Sequence, residues 1–192
     1  MEFRKLDIAG LFEVTLSPFT DERGFFMRVY DADEFARAGL HREWVQENHS
    51  GSVRKGVIRG VHFQREPYAE TKLVRCIRGT VFDVAVDLRP GSPDFGRWRG
   101  IVLSEENRKM LYIPKGFGHG FCTMSDLSEV VYKVDNRYSP DDESGILWSD
   151  MDLAIEWPLE GEPVVSAKDS RNMTFREYSD ICRHGKKGFL RG

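Results

Sequence analysis

Long hydrophobic runs, paired cysteines and an excess of basic residues are all missing from this 192-residue sequence. No apolar run approaches the roughly 18 residues of a membrane helix, and residues 1–14 lack the apolar core of a signal peptide. Cys76, Cys122 and Cys182 are odd in number and have no paired spacing, so we expect free thiols and a cytoplasmic protein. Lysine and arginine total 28 against 31 aspartates and glutamates, without a basic run, so we expect no nucleic-acid and no membrane partner.

Helix signals are few, whereas short strand-like segments separated by turn residues run through most of the chain. The segment TVFDVAVDL at 80–88 alternates, with Phe82, Val84 and Val86 on one face and Asp83 on the other. Helices are predicted only over 31–40 and 174–185. The pattern is typical of an all-β sandwich or barrel with a few peripheral short helices. We expect residues 1–192 to form one domain, with a C-terminal helical extension at about 174–185.

Two segments resemble the paired motifs of the cupin jelly roll. The first, GVIRGVHFQREPYAETKLVRCIRG at 56–79, carries His62, and the second, IPKGFGHGF at 113–121, carries His119 in a Pro-x-Gly-x-x-His pattern. Metal-binding cupins use a further histidine and a glutamate in the first motif, where this chain has Gln64 and Lys72. A lysine ammonium cannot ligate a cation and repels one. We therefore expect a cupin barrel without a metal.

Eight segments resemble the dTDP-4-dehydrorhamnose 3,5-epimerases in order and spacing, from about residue 3 to about 170. They are DERGFF, QENHSGS, GVIRGVHFQ, KLVRCIRGTVFDVAVDLRPGSPDFGRW, YIPKGFGHGF, VYKVDNRYSP, ILWSDMDLAIEWP and SAKD. The resemblance implies a substrate that is a nucleotide diphosphate 4-keto-6-deoxy sugar. It also implies a reaction that inverts C3 and C5, from dTDP-4-keto-6-deoxy-D-glucose to dTDP-4-keto-L-rhamnose. Hydrogens beside a ketone are acidic because the resulting anion delocalises onto oxygen, so no cofactor is expected.

The resemblance also implies four catalytic residues. His62 corresponds to the general base, and Asp169 in SAKD corresponds to the carboxylate that fixes its tautomer. Lys72 corresponds to the group that stabilises the enolate oxygen, and Tyr132 to the acid that returns a proton from the opposite face. Taken singly, Asp169 would be an ordinary loop aspartate and Tyr132 an ordinary core tyrosine. The order of the family motifs favours the catalytic interpretation.

Several polar residues match positions that bind the nucleotide in the family. Arg23 and Arg59 resemble diphosphate ligands, a task for which the guanidinium fork is suited. Lys168 is expected to assist them. Gln46 and Asn48, in QENHS, fall where the family holds the nucleotide.

Aromatic residues and a second histidine complete the expected binding site. Phe19, Phe26 and Tyr138 resemble groups that stack around the base and the sugar. His119 and Asp83 are expected to line the barrel near the reacting ring, and Asp83 is also expected to orient a histidine. The family forms a homodimer that exchanges N-terminal strands, which would bring Phe26 to the neighbouring subunit's site.

Two departures from the family pattern leave alternatives open. Arg28, which is expected to contact the nucleotide, stands where the family usually has a glutamate, and Glu70-Thr71 replace the usual Gln-Gly before the lysine. A 3-only or 5-only epimerase, acting on a dTDP-, GDP- or CDP-linked sugar, therefore remains an alternative. Outside this class, the alternatives are a metal-dependent cupin and a non-catalytic sugar-nucleotide binder.

Overall fold

The architecture is built from short strands, as the turn-punctuated sequence predicts. The computed structural model describes residues 1–184. Its strands are β1 (Glu2–Lys5), β2 (Phe12–Thr15), β3 (Phe19–Asp21), β4 (Gly24–Phe26), β5 (Gln46–Ser52), β6 (Val57–Gln64), β7 (Lys72–Arg78), β8 (Thr80–Asp87), β9 (Trp98–Ser104), β10 (Lys109–Ile113), β11 (Phe117–Thr123), β12 (Ser128–Val134), β13 (Glu143–Gly145) and β14 (Val164–Val165). Its α-helices are α1 (Ala32–Arg37) and α2 (Phe175–His184).

The strands form two packed sheets and a separate hairpin. Sheet I has the order β1-β2-β10-β7-β12-β5, and sheet II has the order β13-β6-β11-β8-β9, with β14 added beside β6. Strands β3 and β4 form the hairpin. The fold is a cupin-like jelly roll, which confirms the predicted class.

The core between the sheets follows from strict alternation along each strand. In β7, Val74 and Cys76 point between the sheets, whereas Leu73 packs on the outer face. In β8, the residues separate onto the two faces that the alternating pattern at 80–88 predicts, and the structure turns Ala85 to the interior and Val84 outward. Each sheet therefore buries both faces, and its outer face needs a cover.

The two helices provide those covers. Asp31 caps the N-terminus of helix α1, since its carboxylate accepts hydrogen bonds from the amides of Asp33 and Glu34. The helix buries Phe35 against the outside of sheet I. Helix α2 packs Tyr178 against the outside of sheet II. The helix predicted over 174–185 is observed at Phe175–His184, and Gly185 lies outside the described residues. No helix in residues 1–184 is long and apolar enough to cross a bilayer.

Candidate active site

One cavity of about 710 Å³ opens between the two sheets. Ten of the residues predicted from the sequence lie on its wall, namely Gln46, Asn48, Arg59, His62, Lys72, His119, Tyr132, Tyr138, Lys168 and Asp169. They come from strands β5, β6, β7, β11 and β12 and from the segments that follow β12 and β14, which are far apart in sequence. The tertiary fold therefore brings the predicted residues to one place.

The first side of this cavity, which we call the histidine wall, consists of His62, His119 and Asp169, with Asp83 buried behind His119. The Cα atoms of His62 on β6 and His119 on β11 are directly paired. Strand alternation turns both side chains inward, while Val61 packs on the outer face of sheet II.

Glycine allows the two histidine strands to come this close. A Cβ atom on Gly60 would lie 2.6 Å from the carbonyl oxygen of His119 and 2.6 Å from the Cα atom of Gly120. Gly60 also has a φ of +114°, a conformation that other residues rarely adopt. A side chain at position 60 would push the strands that carry His62 and His119 apart.

Each histidine on this wall has a carboxylate partner. His62 Nε2 donates to Asp169 Oδ1 at 2.5 Å, and His119 Nε2 donates to Asp83 Oδ1 at 2.8 Å. Asp169 reaches β6 from the turn that follows β14, where its own amide donates to Ser166 Oγ at 3.0 Å. No residue within 1–184 hydrogen-bonds to Nδ1 of His62, so this nitrogen has a lone pair available in the neutral ring.

Asp169 is held in its ionised form. Burial acts to raise the pKa of its carboxyl group, but hydrogen bonds from His62 and from the amide of Gly60 hold the pKa below its usual value. An ionised carboxylate on one ring nitrogen favours a proton at that nitrogen and stabilises the imidazolium. His62 is thus arranged to accept a proton at its other nitrogen.

The opposite side, which we call the lysine wall, consists of Lys72, Tyr132, Gln46 and Asn48 from sheet I. Lys72 begins β7 on the same face as the interior Val74, and Tyr132 on β12 pairs with Val74 in register. The ammonium of Lys72 lies 5.6 Å from the centroid of the Tyr132 ring. A cation and a phenol therefore face the space opposite the histidine wall.

Strand β5 adds polar groups that the strand predictions missed. The segment QENHSGS contains no large apolar residue, so it carries no signal for a strand. Its Gln46, Asn48 and Ser50 nevertheless line the cavity, while Glu47 and His49 alternate outward to solvent. A strand between a polar cavity and water needs no hydrophobic pattern.

At the mouth of the cavity, Tyr138 and Lys168 meet a carboxylate that the sequence did not single out. Glu143 Oε2 accepts hydrogen bonds from the hydroxyl of Tyr138 at 2.6 Å and from Lys168 Nζ at 2.5 Å. Burial acts to raise the pKa of Glu143, but the two partners hold it below its usual value. The hydrogen bond to this carboxylate raises the pKa of Tyr138. Glu143 lies in the turn-rich segment SPDDESG at 139–145, where no sequence pattern marks it as a site residue.

Four of the residues predicted to bind the nucleotide lie away from this cavity. Phe19 and Phe26 face each other in the β3–β4 hairpin and are 75% and 67% exposed. Arg23 at the hairpin tip pairs with Asp21. Arg28 pairs with Asp31. Within one chain these side chains do not join the cavity, and their expected roles remain predictions.

Asp83 pairs with His119 and lies behind the cavity wall. It was predicted to line the barrel near the reacting ring, but its side chain is fully buried behind His119. Its second oxygen, Oδ2, has no hydrogen-bond partner in residues 1–184. Asp83 therefore contacts the histidine and does not itself face the cavity.

Gln64 and Lys72, which stand where metal-binding cupins have metal ligands, contact other groups of the protein. The side-chain amide of Gln64 donates to the carbonyl oxygens of Tyr68 and Arg137, and Lys72 pairs with Glu70. Among residues 1–184, no three histidine, cysteine, aspartate or glutamate side chains are grouped as ligands for a metal ion.

A jelly roll with a paired histidine on one wall and a lysine and tyrosine on the other defines a cupin-type protein with groups suited to proton transfer. Residues 5–177 match the family model described as dTDP-4-dehydrorhamnose 3,5-epimerase. The chain belongs to the dTDP-4-dehydrorhamnose 3,5-epimerase family, and it is an isomerase. The resemblance noted in the sequence motifs is confirmed.

Curated relatives with the same family name are similar to this chain over most of its length. It is 55% identical over 158 residues to the dTDP-4-dehydrorhamnose 3,5-epimerase of Shigella flexneri, which covers 82% of this chain and 86% of the relative. It is also 42% identical over 181 residues to the dTDP-4-dehydrorhamnose 3-epimerase of Streptomyces niveus, which covers 94% and 86%. The family thus contains relatives named for inversion at one centre as well as at two.

Solved structures support the same conclusion. The Bacillus anthracis epimerase with TDP and PPi bound superimposes with a TM-score of 0.88 at 42% identity, over 90% of this chain and 98% of that one. The Legionella pneumophila epimerase in complex with dTDP-4-keto-L-rhamnose has a TM-score of 0.87 at 40% identity, over 91% and 93%.

Proposed function

We propose that this protein inverts C3 and C5 of dTDP-4-keto-6-deoxy-D-glucose to give dTDP-4-keto-L-rhamnose, without a metal or a redox cofactor. The observation that carries the proposal is the arrangement of the cavity. A carboxylate-paired histidine lies on one wall, and a lysine beside a tyrosine lies on the other. The ligand reported for the Legionella relative supports this choice of substrate class.

In the first step, His62 removes a proton from the carbon next to the C4 ketone. The electron pair of the broken C–H bond moves into the ring, and negative charge develops on the C4 oxygen. Asp169 stabilises the imidazolium that forms, and Lys72 donates a hydrogen bond to the enolate oxygen. A buried cation at this oxygen lowers the barrier to proton removal, because the negative charge of the transition state develops there.

In the second step, Tyr132 returns a proton to the same carbon from the opposite face. The carbon is inverted, and the ketone re-forms as the electron pair leaves the C4 oxygen. His62 then loses its proton to solvent, and the tyrosinate recovers one. Inversion requires the acid and the base to lie on opposite faces of the sugar, which is the relation between the lysine wall and the histidine wall.

The nucleotide half of the substrate is held nearer the mouth. Arg59 lines the cavity and donates to the Gly51 carbonyl oxygen at 3.0 Å, which leaves further guanidinium N–H groups for a diphosphate. Gln46, Asn48 and Tyr138 line the same cavity, and their proposed role is to hold the base and the ribose. A cavity of about 710 Å³ is within the usual range for a bound small molecule.

The protein is further proposed to act as a cytoplasmic homodimer with exchanged N-terminal strands. The β3–β4 hairpin supports this. Its two strands have three residues each, and Phe19, Phe25 and Phe26 on them are each more than 60% exposed. A second subunit would cover these rings and would bring Arg23 and Arg28 towards a neighbouring cavity. Light scattering of the purified protein measures this directly, and a monomer at micromolar concentration would contradict it.

A 3-epimerase is the second candidate, because a relative so named aligns with 94% of this chain. Both candidates use the same base, and both stabilise negative charge on the same C4 oxygen. They differ in whether the second carbon can also be presented to His62.

The test follows deuterium entering dTDP-4-keto-6-deoxyglucose from D2O by NMR. Incorporation and inversion at both C3 and C5 support the proposal, and incorporation at C3 alone would show a 3-epimerase. An absence of incorporation at either carbon, in a sample that binds dTDP, would show a non-catalytic binder.

A further inference from the structure

The three Lys and Arg side chains in the cavity differ in their partners. Lys168 pairs with Glu143 at 2.5 Å, and Lys72 Nζ pairs with Glu70 Oε1 at 3.2 Å. Arg59 has no carboxylate partner in residues 1–184, and its contacts are the Gly51 carbonyl and the Ser52 hydroxyl. Among residues 1–184, the cavity therefore presents one cation without a carboxylate partner, at Arg59, whereas Lys72 and Lys168 each have one.

Glu70 is held rigidly in this arrangement. Its side chain is only 12% exposed, and its second oxygen, Oε2, accepts a hydrogen bond from Gln64 Nε2 at 3.0 Å. The amide of Ser139 donates to Gln64 Oε1 at 2.7 Å, so the nitrogen of the Gln64 side chain must face Glu70. The carboxylate is thus fixed between Gln64 and Lys72.

A fixed carboxylate beside Lys72 changes which ligand groups this end of the cavity can accept. A phosphate approaching Lys72 meets the negative charge of Glu70 at a similar distance, so the attraction and the repulsion largely cancel. A sugar ketone carries no net charge and needs only a donor. Lys72 has three N–H groups and uses one for Glu70, so donors remain for the ketone oxygen.

We propose that Glu70 is a specificity-determining residue that excludes phosphate groups from the Lys72 end of the cavity, so that the diphosphate binds at Arg59. This inference rests on the proposed function, in which Lys72 faces the C4 oxygen. It is an example of selection by repulsion of the wrong group. The residue is a departure from the Gln-Gly that usually precedes the lysine in the family, so the effect is specific to chains that carry the carboxylate.

The experiment measures binding of inorganic pyrophosphate by calorimetry to protein already saturated with dTDP. The nucleotide occupies the Arg59 end, so any pyrophosphate binds elsewhere. We expect no measurable binding to the wild type. Glu70→Gln, which keeps the shape and removes the charge, should bind pyrophosphate at least about 10-fold more tightly, the scale of one hydrogen bond to a charged group.

Three further variants test whether any gained pyrophosphate binding comes from the loss of the Glu70 charge beside Lys72. Glu70→Gln with Lys72→Met should lose the gained site, because the cation is gone. Glu70→Ala should gain it as Glu70→Gln does, which keeps the test valid if one variant folds poorly. Glu129→Gln makes the same change in net charge on the outside of the barrel, where Glu129 contacts His49 and Arg78, and should behave as the wild type.

Failure of this inference is separable from failure of the proposed function. Folded Glu70 variants that bind no more pyrophosphate than the wild type would overturn the role of Glu70, even where deuterium exchange proceeds normally. Gained binding that survives Lys72→Met would overturn it as well. If the wild type neither binds dTDP nor exchanges deuterium, the proposed function fails, and the inference fails with it.

Discussion

The two walls of the cavity differ in how their ionisable groups are supported. On the histidine wall, both histidines are paired with buried carboxylates, and the two histidine Cα atoms are in register. On the lysine wall, Lys72 has a carboxylate partner but Tyr132 is contacted mainly by its neighbours in the sheet and by the lysine. In the proposed mechanism, the first wall accepts and holds a proton, and the second stabilises negative charge and donates a proton.

The histidine wall itself contains two pairs of unequal access. The His62 side chain is 30% exposed to the cavity, whereas His119 is 7% exposed and Asp83 is fully buried. The same pair of residue types therefore serves two purposes. The exposed pair can meet a substrate, and the buried pair shapes the wall beside it.

The largest effect is expected from His62→Ala. Because the base is lost, exchange at every carbon should fall by at least about 10³-fold, within the range that general base catalysis contributes. His49→Ala is the matched control, since His49 lies on the outer face of β5 and pairs with Glu129. The measurement is deuterium incorporation by NMR. Turnover near the wild-type rate in His62→Ala would remove the histidine wall from the mechanism.

Lys72→Ala tests the opposite wall. Loss of one group that stabilises an oxyanion costs about 10²–10³-fold in rate. Lys133→Ala is the control, because Lys133 follows Tyr132 on β12 but pairs with Glu47 outside the cavity. EDTA should leave the wild-type rate unchanged. Inhibition by the chelator that a divalent metal reverses would instead favour a metal-dependent cupin.

Asp169→Asn and Asp83→Asn together compare the two histidine–carboxylate pairs. The asparagine keeps the shape but no longer stabilises the imidazolium of His62, so the turnover number should fall by about 10²-fold. Asp83→Asn should reduce turnover by less than about 10-fold, because its histidine is proposed to shape the wall and not to transfer the proton. Steady-state kinetics of both variants measure this. Equal losses in the two would mean that the buried pair takes part in proton transfer.

Tyr132→Phe tests whether proton removal and proton return depend on different walls. Removal of a proton by His62 continues, but the donor for the opposite face is missing, so inversion should fall on the order of 10-fold more than exchange. Parallel NMR measurements of deuterium incorporation and of the inverted product give the ratio. If exchange and inversion fall by the same factor, the proton comes from another group.

The smallest effect concerns stability at low pH. The pKa of Asp169 is lower in the folded protein than its usual value, so its contribution to stability is present above the unfolded pKa and is lost as the pH falls through the folded pKa. The free energy of unfolding should therefore decline below about pH 4 less steeply in Asp169→Asn than in the wild type. Denaturant titrations from pH 6 to pH 3 measure the slopes. A steeper decline in the variant would contradict the pairing with His62.

Much of the fold was predictable because strand alternation is a local property. The residues of β8 separate onto the two predicted faces, but only the packing of the sheets decided that Val84 points outward and Ala85 inward. Strand β5 was missed as a strand, since a polar edge that faces a wet cavity has no apolar pattern. Glu143 was missed because a single glutamate in a turn cluster resembles any solvated residue until Lys168 and Tyr138 are placed beside it.

The amino-acid sequence by itself determined the class of fold and the identities of the chemical groups. Period-two alternation and the order of the motifs are written along the chain and need no long-range contact to be recognised. Only the tertiary structure decided which groups share a cavity. The contact between His62 and Asp169 spans 107 residues of sequence, and its 2.5 Å geometry depends on the turn after β14 meeting β6. The same packing buried Asp83 behind His119 and placed Glu70 against Lys72, because side-chain partners are selected by the approach of whole strands and not by local sequence.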